Sequence, residues 1–595
     1  MGDQTTTGHW PSLTVARIAP GLGLLLAYRR EWFRHDLVAG VSVAAVAVPI
    51  AIAYAQLAGF PPVVGLYTTI LPLIAYAIFG TSRHLIVNPD AAVCAMVAAI
   101  VAPIAGGDAE AYVSLSITLA ILTGVVCMAA GFLRLGFLAD FLGKPVLVGF
   151  LNGMAVSIFL GQIGRVFGFP MKSGGIAPRI IEFVSKLPQT HLPTLAIGAV
   201  TLAVMVGVRR VWPRLPAPLI AVLAALALSQ GFHLDQKSVK VVGAVPRGLP
   251  PFRLPYFHVE HLDLLFGGAV GVALVAFSGG MIATRSFASR HRYDVDVDRE
   301  FIALGVCNLA AGLSQGFAVC GTDSRTAVND MMGGKSQVSG IVAAAVMAAV
   351  LLFLTGPLQY LPIAALGAVL IVAALGLVDV ASLRLLWRMS RQEFAVSVIT
   401  TLGVIAVGVL EGILVAVGIA ILLLLKRASR PPDAVLGRVT DMKGFHDVAD
   451  YEEAATHAGL VLYRFGSAIV FFNAPYFKRR VLEIVAGQND IRWFVVDGST
   501  INLVDSTGAE MLEALAAELD RRGIRFGLAN FRTATRATLA KTGLLARIGP
   551  DRVFPTLKSA VSAFLSSQAG ELARASTVGG DTELRVVPQP GATTK

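Results

Sequence analysis

VNPDAAVCAMVAAIVA, residues 87–102, decides the fold of this chain, because it is an apolar run that opens on polar residues and an aspartate, Asp90. A second stretch, CGTDSRTAVNDMMGG at residues 320–334, places a carboxylate, a hydroxyl and the guanidinium of Arg325 at the head of another apolar segment. Charged groups are costly in segments oily enough to enter a bilayer, so a functional role is their default explanation. The two stretches therefore predict a membrane protein with a functional site at the start of two helices.

The composition agrees with a membrane protein. The chain has 595 residues, of which 55% are hydrophobic and 15% are charged, and its mean hydropathy is +0.70. A soluble chain would carry about a quarter charged residues. Apolar runs of about 20 residues, long enough to span a bilayer, recur from Asp36 to Lys426, and charged residues become frequent only after that. We predict a transmembrane domain at residues 36–426, in contact with membrane lipid, followed by a soluble domain.

The basic residues predict the orientation of the chain. About fourteen apolar segments occur between these limits. Lysine and arginine concentrate in the even-numbered connections, before the first segment (Arg29, Arg30) and after the last (Lys426, Arg427). Because basic residues stay on the cytoplasmic side, we predict a multi-pass protein of the cell (inner or plasma) membrane with both termini in the cytoplasm, residues 1–35 included. This bias also explains the net charge of +11 without nucleic acid as a partner.

The membrane domain contains a weak internal repeat. DLVAGVSVAAVAV begins at Asp36 and DLLFGGAVGVALV begins at Asp263, with an aspartate, a leucine, a glycine and valines in common. About seven segments separate the copies, and an odd number places the second copy upside down in the membrane. We therefore predict an inverted repeat of two sets of about seven segments, at residues 36–232 and 263–426.

The third segment of each copy has the pattern of a short helix that starts inside the membrane. Asn88 suits an N-cap, Pro89 the first helical position and Asp90 the first turn. Thr322 or Asp323 can cap the second helix. Polar or glycine breaks follow too soon for a full span.

Two such helices in an inverted repeat would point their N-termini at one another. Free backbone N–H groups and two positive dipole ends would converge there, which favours an anion. Arg325 adds a fixed positive charge and Ser324 a hydroxyl donor. Simpler roles stay open: Asp90 as a helix-start residue, Asp323 as a cap, and Arg325 as a structural partner of either aspartate.

The sequence resembles the sulfate permease (SulP) family over nearly its whole length. The matching stretches are AYAQLAGFPPVVGLY (53–67), GTSRHLIVNPDAAV (80–93) and DSRTAVNDMMGGKSQVSGI (323–341), together with a C-terminal segment. The resemblance implies fourteen segments as an inverted repeat, a core and a gate that move as an elevator, and homodimers. It also implies a substrate site between the third and tenth segments.

The resemblance assigns candidate anion ligands and also marks departures from the family pattern. The ligands that it implies are Tyr54, Asp90, Ala91, Ser324 and Arg325. The family's frequent Pro-Gln in the first segment is Pro49-Ile50 here, and its Gly-Pro in the third segment is Asn88-Pro89. Gly279, in VAFSGGMIATRSFA (275–288), occupies the place of a glutamate that many members use in proton coupling.

The missing glutamate points to another coupling group. A carboxylate repels a bound anion, and a proton or a sodium ion removes that repulsion, so we expect Asp90, or else Asp323, to bind H⁺ or Na⁺ as the coupling ion. No other cofactor and no metal is predicted, since the four cysteines form no ligand motif.

The function expected from these features is secondary active transport of a small anion. Sulfate comes first, then bicarbonate or a C4-dicarboxylate, in symport with H⁺ or Na⁺. The alternative is an uncoupled exchanger or a channel-like anion conductor. No nucleophile–base pair, metal cluster or phosphate loop suggests an enzyme.

The soluble part alternates strands and helices. We predict a linker at 427–457, a domain at 458–565 that begins with two short strands in 458–477, and a disordered tail at 566–595. The pattern resembles the STAS domain, and its DSTG corresponds to the phosphorylated loop of anti-sigma factor antagonists. Thr507 is therefore a candidate for phosphorylation, with a plain helix cap as the alternative, and a cytoplasmic regulatory protein is a candidate partner.

Overall fold

The computed structural model describes residues 19–575 except 137–142, 172, 174–175, 213–214, 251–260 and 489. Two compact units divide the chain, residues 1–420 and residues 421–595. Each unit has its own hydrophobic core.

The first unit is helical. Its helices are α1 (Pro20–Leu26), α2 (Phe33–Leu57), α3 (Pro62–Phe79), α4 (Ala91–Ala105), α5 (Ala109–Phe132), α6 (Lys144–Phe167), α7 (Ile176–Lys186), α8 (Leu192–Val211), α9 (Ala217–Gly231), α10 (Leu262–His291), α11 (Val297–Leu313), α12 (Asp323–Met331), α13 (Val338–Phe353), α14 (Thr355–Leu358), α15 (Ile363–Leu377), α16 (Val380–Met389) and α17 (Arg391–Ala406); α18 (Val409–Ser429) follows and continues past residue 420.

Many of these helices can cross a bilayer. Within the described ranges, seven helical segments are long and apolar enough: Arg30–Leu57, Pro62–Phe79, Ala109–Phe132, Lys144–Phe167, Leu192–Val211, Leu262–His291 and Ile363–Met389. Three shorter apolar helices are α4, α9 and α13. A helical membrane protein with several spans is therefore confirmed, while the count of about fourteen segments and the inverted repeat stay predictions.

A two-stranded ribbon joins distant parts of the membrane unit. Strands β1 (Val87–Asn88) and β2 (Cys320–Gly321) pair antiparallel, with Asn88 opposite Cys320 and Val87 opposite Gly321. The Thr322 amide donates to the carbonyl oxygen of Ile86 at 3.0 Å, which extends the pairing by one bond. Backbone groups far from water must be paired, and the ribbon provides the partners between helices.

Small residues allow close packing around this ribbon. A Cβ added to Gly280 of α10 would lie 3.2 Å from the backbone nitrogen of Gly321. Further along, a Cβ on Gly124 of α5 would lie 2.7 Å from the carbonyl oxygen of Gly305 in α11. Glycine at these positions brings backbones together, as is usual at helix interfaces in membranes.

A buried carboxylate supports the segment that leads into β1. Glu300 of α11 is 4% exposed and accepts hydrogen bonds from the Tyr76 hydroxyl at 2.8 Å and the backbone amides of Thr81 and Ser82 at 2.7 and 3.2 Å. Several donors compensate for the burial of its charge. Glu300 therefore holds the chain between α3 and β1 in place.

We expect Glu300→Gln to destabilise the membrane unit by about 2–3 kcal/mol, because an amide NH₂ would face donors and leave them unpaired. The purified protein should unfold several degrees lower in a thermal scan. Glu110→Gln, at an exposed position in the first turn of α5, is the matched control and should change little. Equal melting temperatures for both variants would contradict the supporting role of Glu300.

The second unit is an α/β domain around a six-stranded sheet in the order β4-β3-β5-β6-β7-β8. β3 is antiparallel to both of its neighbours, and β5 to β8 are parallel. The strands are β3 (Asp433–Gly437), β4 (His446–Asp447), β5 (Leu460–Phe465), β6 (Trp493–Asp497), β7 (Arg525–Ala529) and β8 (Val553–Phe554), and the helices are α19 (Ala474–Ala486), α20 (Ser506–Arg521), α21 (Thr533–Lys541), α22 (Leu544–Ile548) and α23 (Leu557–Ala575).

Two sequence-based boundaries differ from the structure. The predicted linker 427–457 contains β3 and β4, which are part of the sheet. β4 has only two residues, both polar, and β3 (DAVLG) has three consecutive apolar residues where β6 (WFVVD) has four, so neither gives a long apolar run. The predicted tail 566–595 begins inside α23, which ends at Ala575, and its remaining residues lie outside the described ones.

The prediction of two strands in 458–477 is also wrong in its second half. Beyond β5, the chain makes only a single bridge between Ile469 and Val504 and then turns into α19. The Asn473 side chain sets this turn by accepting from the Val470 amide at 2.9 Å. Pro475 follows in the first helical turn, where a proline needs no hydrogen bond.

Candidate anion site

The ribbon brings the starts of α4 and α12 together. Asp90 is the N-cap of α4, and its carboxylate accepts from the Ala92 amide at 3.1 Å. Thr322 occupies the N-cap position of α12. The first-turn amides of two helices thus lie beside the paired strands. Such amides carry partial positive charge and lack partners within their own helix.

The helix start differs from the sequence-based assignment. We predicted Asn88 as the cap and Asp90 in the first turn, whereas Asn88 lies in β1 and Asp90 is the cap. The reason is the pairing of Asn88 with Cys320, which keeps its backbone extended. The sequence gives no local signal for a strand partner so far along the chain.

Arg325 is the central charged group of the site. Its side chain is 1% exposed, and its Nε and Nη2 atoms have no hydrogen-bond partner among the residues that the structure describes. Its guanidinium carbon lies 5.2 Å from the ring centroid of Tyr54, within range of a cation–π contact. Burial of an ion without full pairing is costly. A buried guanidinium with unpaired N–H groups is therefore the arrangement expected where an anion binds.

Other predicted site residues surround Arg325. Tyr54 and Ala91 are buried, and Asp90 is half-buried. The charges of Arg325 and Asp90 both act on Tyr54. The structure therefore brings Tyr54, Asp90 and Arg325 together, with Ala91 next to Asp90 in the chain, and their roles as ligands stay predictions.

Asp323 and Ser324 form the accessible side of the site. Both residues are exposed in the first turn of α12, while Arg325 beside them is buried. The charge of Asp90 acts on Asp323. The roles of Ser324 as an anion ligand and of Asp323 as a cation ligand stay predictions.

Two of the positions that depart from the family pattern, Ile50 and Gly279, can be examined in the structure. Ile50 is buried one helical turn before Tyr54 on α2, so it supplies no polar group. A Cβ added to Gly279 would meet no atom within 4 Å among the described residues. Packing therefore does not require a glycine there, and a larger side chain could be accommodated.

Sequence reasoning overlooked Asn88 as a possible contributor of its side chain. Asn88 is fully buried, and neither Oδ1 nor Nδ2 has a partner in the described part of the chain. The sequence shows Asn88 as a polar residue in an apolar run. Because we assigned it as a helix cap, we did not consider its side-chain amide as a ligand.

A second polar cluster lies apart from Arg325. His84, His291 and Asp330 place three potential metal-ligand atoms within 4.8 Å of one another. The two imidazole rings stack at 4.2 Å with 17° between their planes, so their lone pairs lie in nearly parallel planes that cannot share one ion. Asp330 instead pairs with Arg290 at 2.8 Å and with His291 at 2.5 Å. This geometry favours a charge network over a metal site.

Thr507 lies in the STAS-like unit, exposed in the first turn of α20. Asp505 caps that helix by accepting from the Gly508 amide at 2.7 Å and also accepts from the Phe471 amide at 2.8 Å. The hydroxyl is therefore accessible, and the cap role belongs to Asp505. Phosphorylation of Thr507 stays a prediction.

Together these features define a class of protein: a helical membrane protein in which a buried arginine lies near two helix starts, with an α/β domain after the membrane unit. A family model described as the sulfate permease family matches residues 33–400, and one described as the STAS domain matches residues 451–560. The chain therefore belongs to the sulfate permease family, whose members are transporters and not enzymes, and it carries a C-terminal STAS domain.

Individual relatives agree with this assignment. The chain is 41% identical over 555 residues to a probable sulfate transporter of Mycobacterium tuberculosis, covering 93% of this chain and 99% of that protein. It is 31% identical over 554 residues to the chloroplastic sulfate transporter 4.1 of Arabidopsis thaliana, covering 90% and 80%. The solved structure of the murine Slc26a9 anion transporter in the inward-facing state is similar with a TM-score of 0.86 and 25% identity, covering 95% and 96%.

Proposed function

We propose that this protein is a secondary active transporter of a small anion, with sulfate as the first candidate. The observation that carries the proposal is the buried guanidinium of Arg325, whose Nε and Nη2 lack partners in the described residues, beside two helix starts. A free cation in a low-dielectric site is stabilised by an anion that enters it, and the nearby amides add donors.

The chemistry of the site supports an oxyanion. A guanidinium presents several N–H groups in one plane, which suits two oxygens of the same anion. Two relatives named as sulfate transporters favour sulfate over bicarbonate or a C4-dicarboxylate. The Slc26a9 structure is that of an anion transporter, which supports the same class.

Coupling to H⁺ or Na⁺ is the next part of the proposal. Asp90 is half-buried and electrostatically coupled to both Arg325 and Asp323. An incoming anion would raise the electrostatic cost of a charged Asp90, and a proton or sodium ion at Asp90 or Asp323 would lower it. Anion and cation would then bind together, which is the requirement for symport.

The transport movement, assembly and location complete the proposal. We infer an elevator mechanism in a homodimer, as the family resemblance implies, and the similarity to an anion transporter in an inward-facing state is consistent with alternating access. The lysine and arginine bias supports a cell-membrane location with both termini in the cytoplasm. The exposed Thr507 gives a cytoplasmic regulatory protein an accessible contact at the STAS domain.

Uptake into proteoliposomes tests this function. Labelled sulfate, bicarbonate and succinate would be offered separately, with and without an inward gradient of H⁺ or Na⁺. We expect sulfate to accumulate above equilibrium and the accumulation to disappear when one gradient is collapsed. Equilibration that ignores both gradients would instead support an uncoupled exchanger or a channel-like conductor.

A further inference from the structure

We propose that the side-chain amide of Asn88 is a further ligand of the transported anion, to which its Nδ2 atom donates a hydrogen bond. The proposal rests on the proposed function, because it assigns a specificity residue to the same site. It follows from the burial of Asn88, from the direction that the ribbon imposes on its side chain, and from the chemistry of an amide.

The first observation is that this amide has no hydrogen-bond partner in the described part of the chain. Asn88 is 0% exposed, and both Oδ1 and Nδ2 are buried without a hydrogen bond to any described residue. Buried amides are nearly always hydrogen-bonded, because losing water without a replacement is unfavourable. The backbone of Asn88 is already in the ribbon, so the side chain is not needed for the pairing.

The second observation is the direction of the side chain. Residues directly opposite in an antiparallel pair project from the same face, so Asn88 and Cys320 share a face of the ribbon. The charges of Asp90, Asp323 and Arg325 all act on Cys320. These charged groups therefore lie near Cys320, and Asn88 shares its face of the ribbon.

The opposite face of the ribbon is occupied by packing. Val87 and Gly321 alternate with Asn88 and Cys320 and so project the other way. A Cβ on Gly321 would lie 2.8 Å from the Cα of Gly280 and 3.0 Å from the Leu85 side chain. Helix α10 and Leu85 pack against that side, which is the side of the ribbon away from Asn88.

The chemistry of the amide complements that of Arg325. Arg325 supplies charge and a planar set of donors, whereas Asn88 supplies a neutral, directional donor from the other helix start. Ile50 on α2 contributes no polar atom from its side of Tyr54. An anion seated on Arg325 and the helix amides would accept a hydrogen bond from Nδ2 of Asn88 and so offset part of the cost of burying this amide.

The test uses the full-length protein in proteoliposomes, with sulfate as the probe, and compares Asn88→Ala with wild type. We expect the KM for sulfate to rise about tenfold, the effect of one hydrogen bond to a charged ligand, with little change in maximal uptake. The sulfate concentration that gives half of the thermal stabilisation should rise by a similar factor. The melting temperature without sulfate should not fall, because Asp90 remains as the cap.

Two further variants separate ligand binding from structure. Asn88→Asp keeps the shape but replaces the donor by a negative charge, so the KM should rise more than in Asn88→Ala. Ser116→Ala removes another fully buried polar group without a described partner, on α5, and should leave the KM unchanged.

An unchanged KM in Asn88→Ala with a lower melting temperature would assign Asn88 to packing alone and overturn the proposal. If Arg325→Ala also loses sulfate binding in that case, the proposed function stands and only the Asn88 assignment falls. Failure of the wild-type protein to bind or take up any anion would overturn both.

Discussion

Arg325→Ala is expected to lower anion affinity at least about a hundredfold and to reduce uptake to background in proteoliposomes. The guanidinium is the buried positive charge of the site, and its Nε and Nη2 atoms are without a described partner. Removing it discards both the charge and several charge-assisted hydrogen bonds, each of which contributes about 1.5–3 kcal/mol. The fold should survive, since burying an alanine is easier than burying a free cation.

Two control variants make the result specific. Arg325→Lys keeps the charge but loses the planar fork, so it should retain part of the affinity. Arg299→Ala removes an arginine of α11 whose Nε atom lies 3.1 Å from Asp296 in a partly exposed ion pair, and uptake should be near that of wild type. Wild-type affinity in Arg325→Ala would show that Arg325 is a structural residue and no ligand.

Asp90→Asn is expected to abolish the dependence of anion uptake on the coupling ion. If Asp90 accepts the coupling proton, wild-type uptake should increase as pH falls, because protonation removes the repulsion between the carboxylate and the anion. The asparagine variant is permanently neutral, so its uptake should be flat with pH and should no longer lead to accumulation. Asparagine is also a good N-cap, so α4 should keep its start. The measurement is the initial uptake rate as a function of external pH at a fixed sodium concentration, and as a function of sodium concentration at a fixed pH.

Asp108→Asn is the matched control for this variant. Asp108 caps α5 in the same way, accepting from the Glu110 amide at 2.8 Å, but it is exposed, whereas Asp90 is half-buried. Its substitution should leave the pH profile intact. An unaltered profile in well-folded Asp90→Asn would return Asp90 to its simpler role as a helix cap and would move the test to Asp323.

The two short helices could be predicted from sequence because their starts carry strong local signals. The prediction holds for α4, a short apolar helix, whereas α12 is a nine-residue helix, DSRTAVNDM, that is mostly polar and begins after the predicted cap Thr322. We predicted from the repeat that the starts of these two helices lie close together, and the ribbon brings them together in the structure. The position of the first cap could not be predicted, because Asn88 is held by Cys320, a partner with no local signature.

The burial of individual side chains in the site could not be predicted from the sequence either. Arg325 and Ser324 are adjacent and polar, yet the structure buries the first and exposes the second. A helix rotates successive residues by about 100°, so burial depends on the rotation of α12 against its neighbours. In the C-terminal domain, β3 and β4 were missed because β3 has only three consecutive apolar residues and β4 has none.

The ribbon between β1 and β2 also sets the order in which the protein can be made. Its flanking hydrogen bond joins Ile86 and Thr322, which are 236 positions apart. At translation speeds of about 5–20 residues per second, the first strand must wait roughly 10–50 seconds for its partner to leave the ribosome. During that interval the amides of the first strand have no partner in the nascent chain. Completion of the site is therefore a late step of biogenesis, and a ribosome stalled before Cys320 would leave an N-terminal half that cannot assemble it.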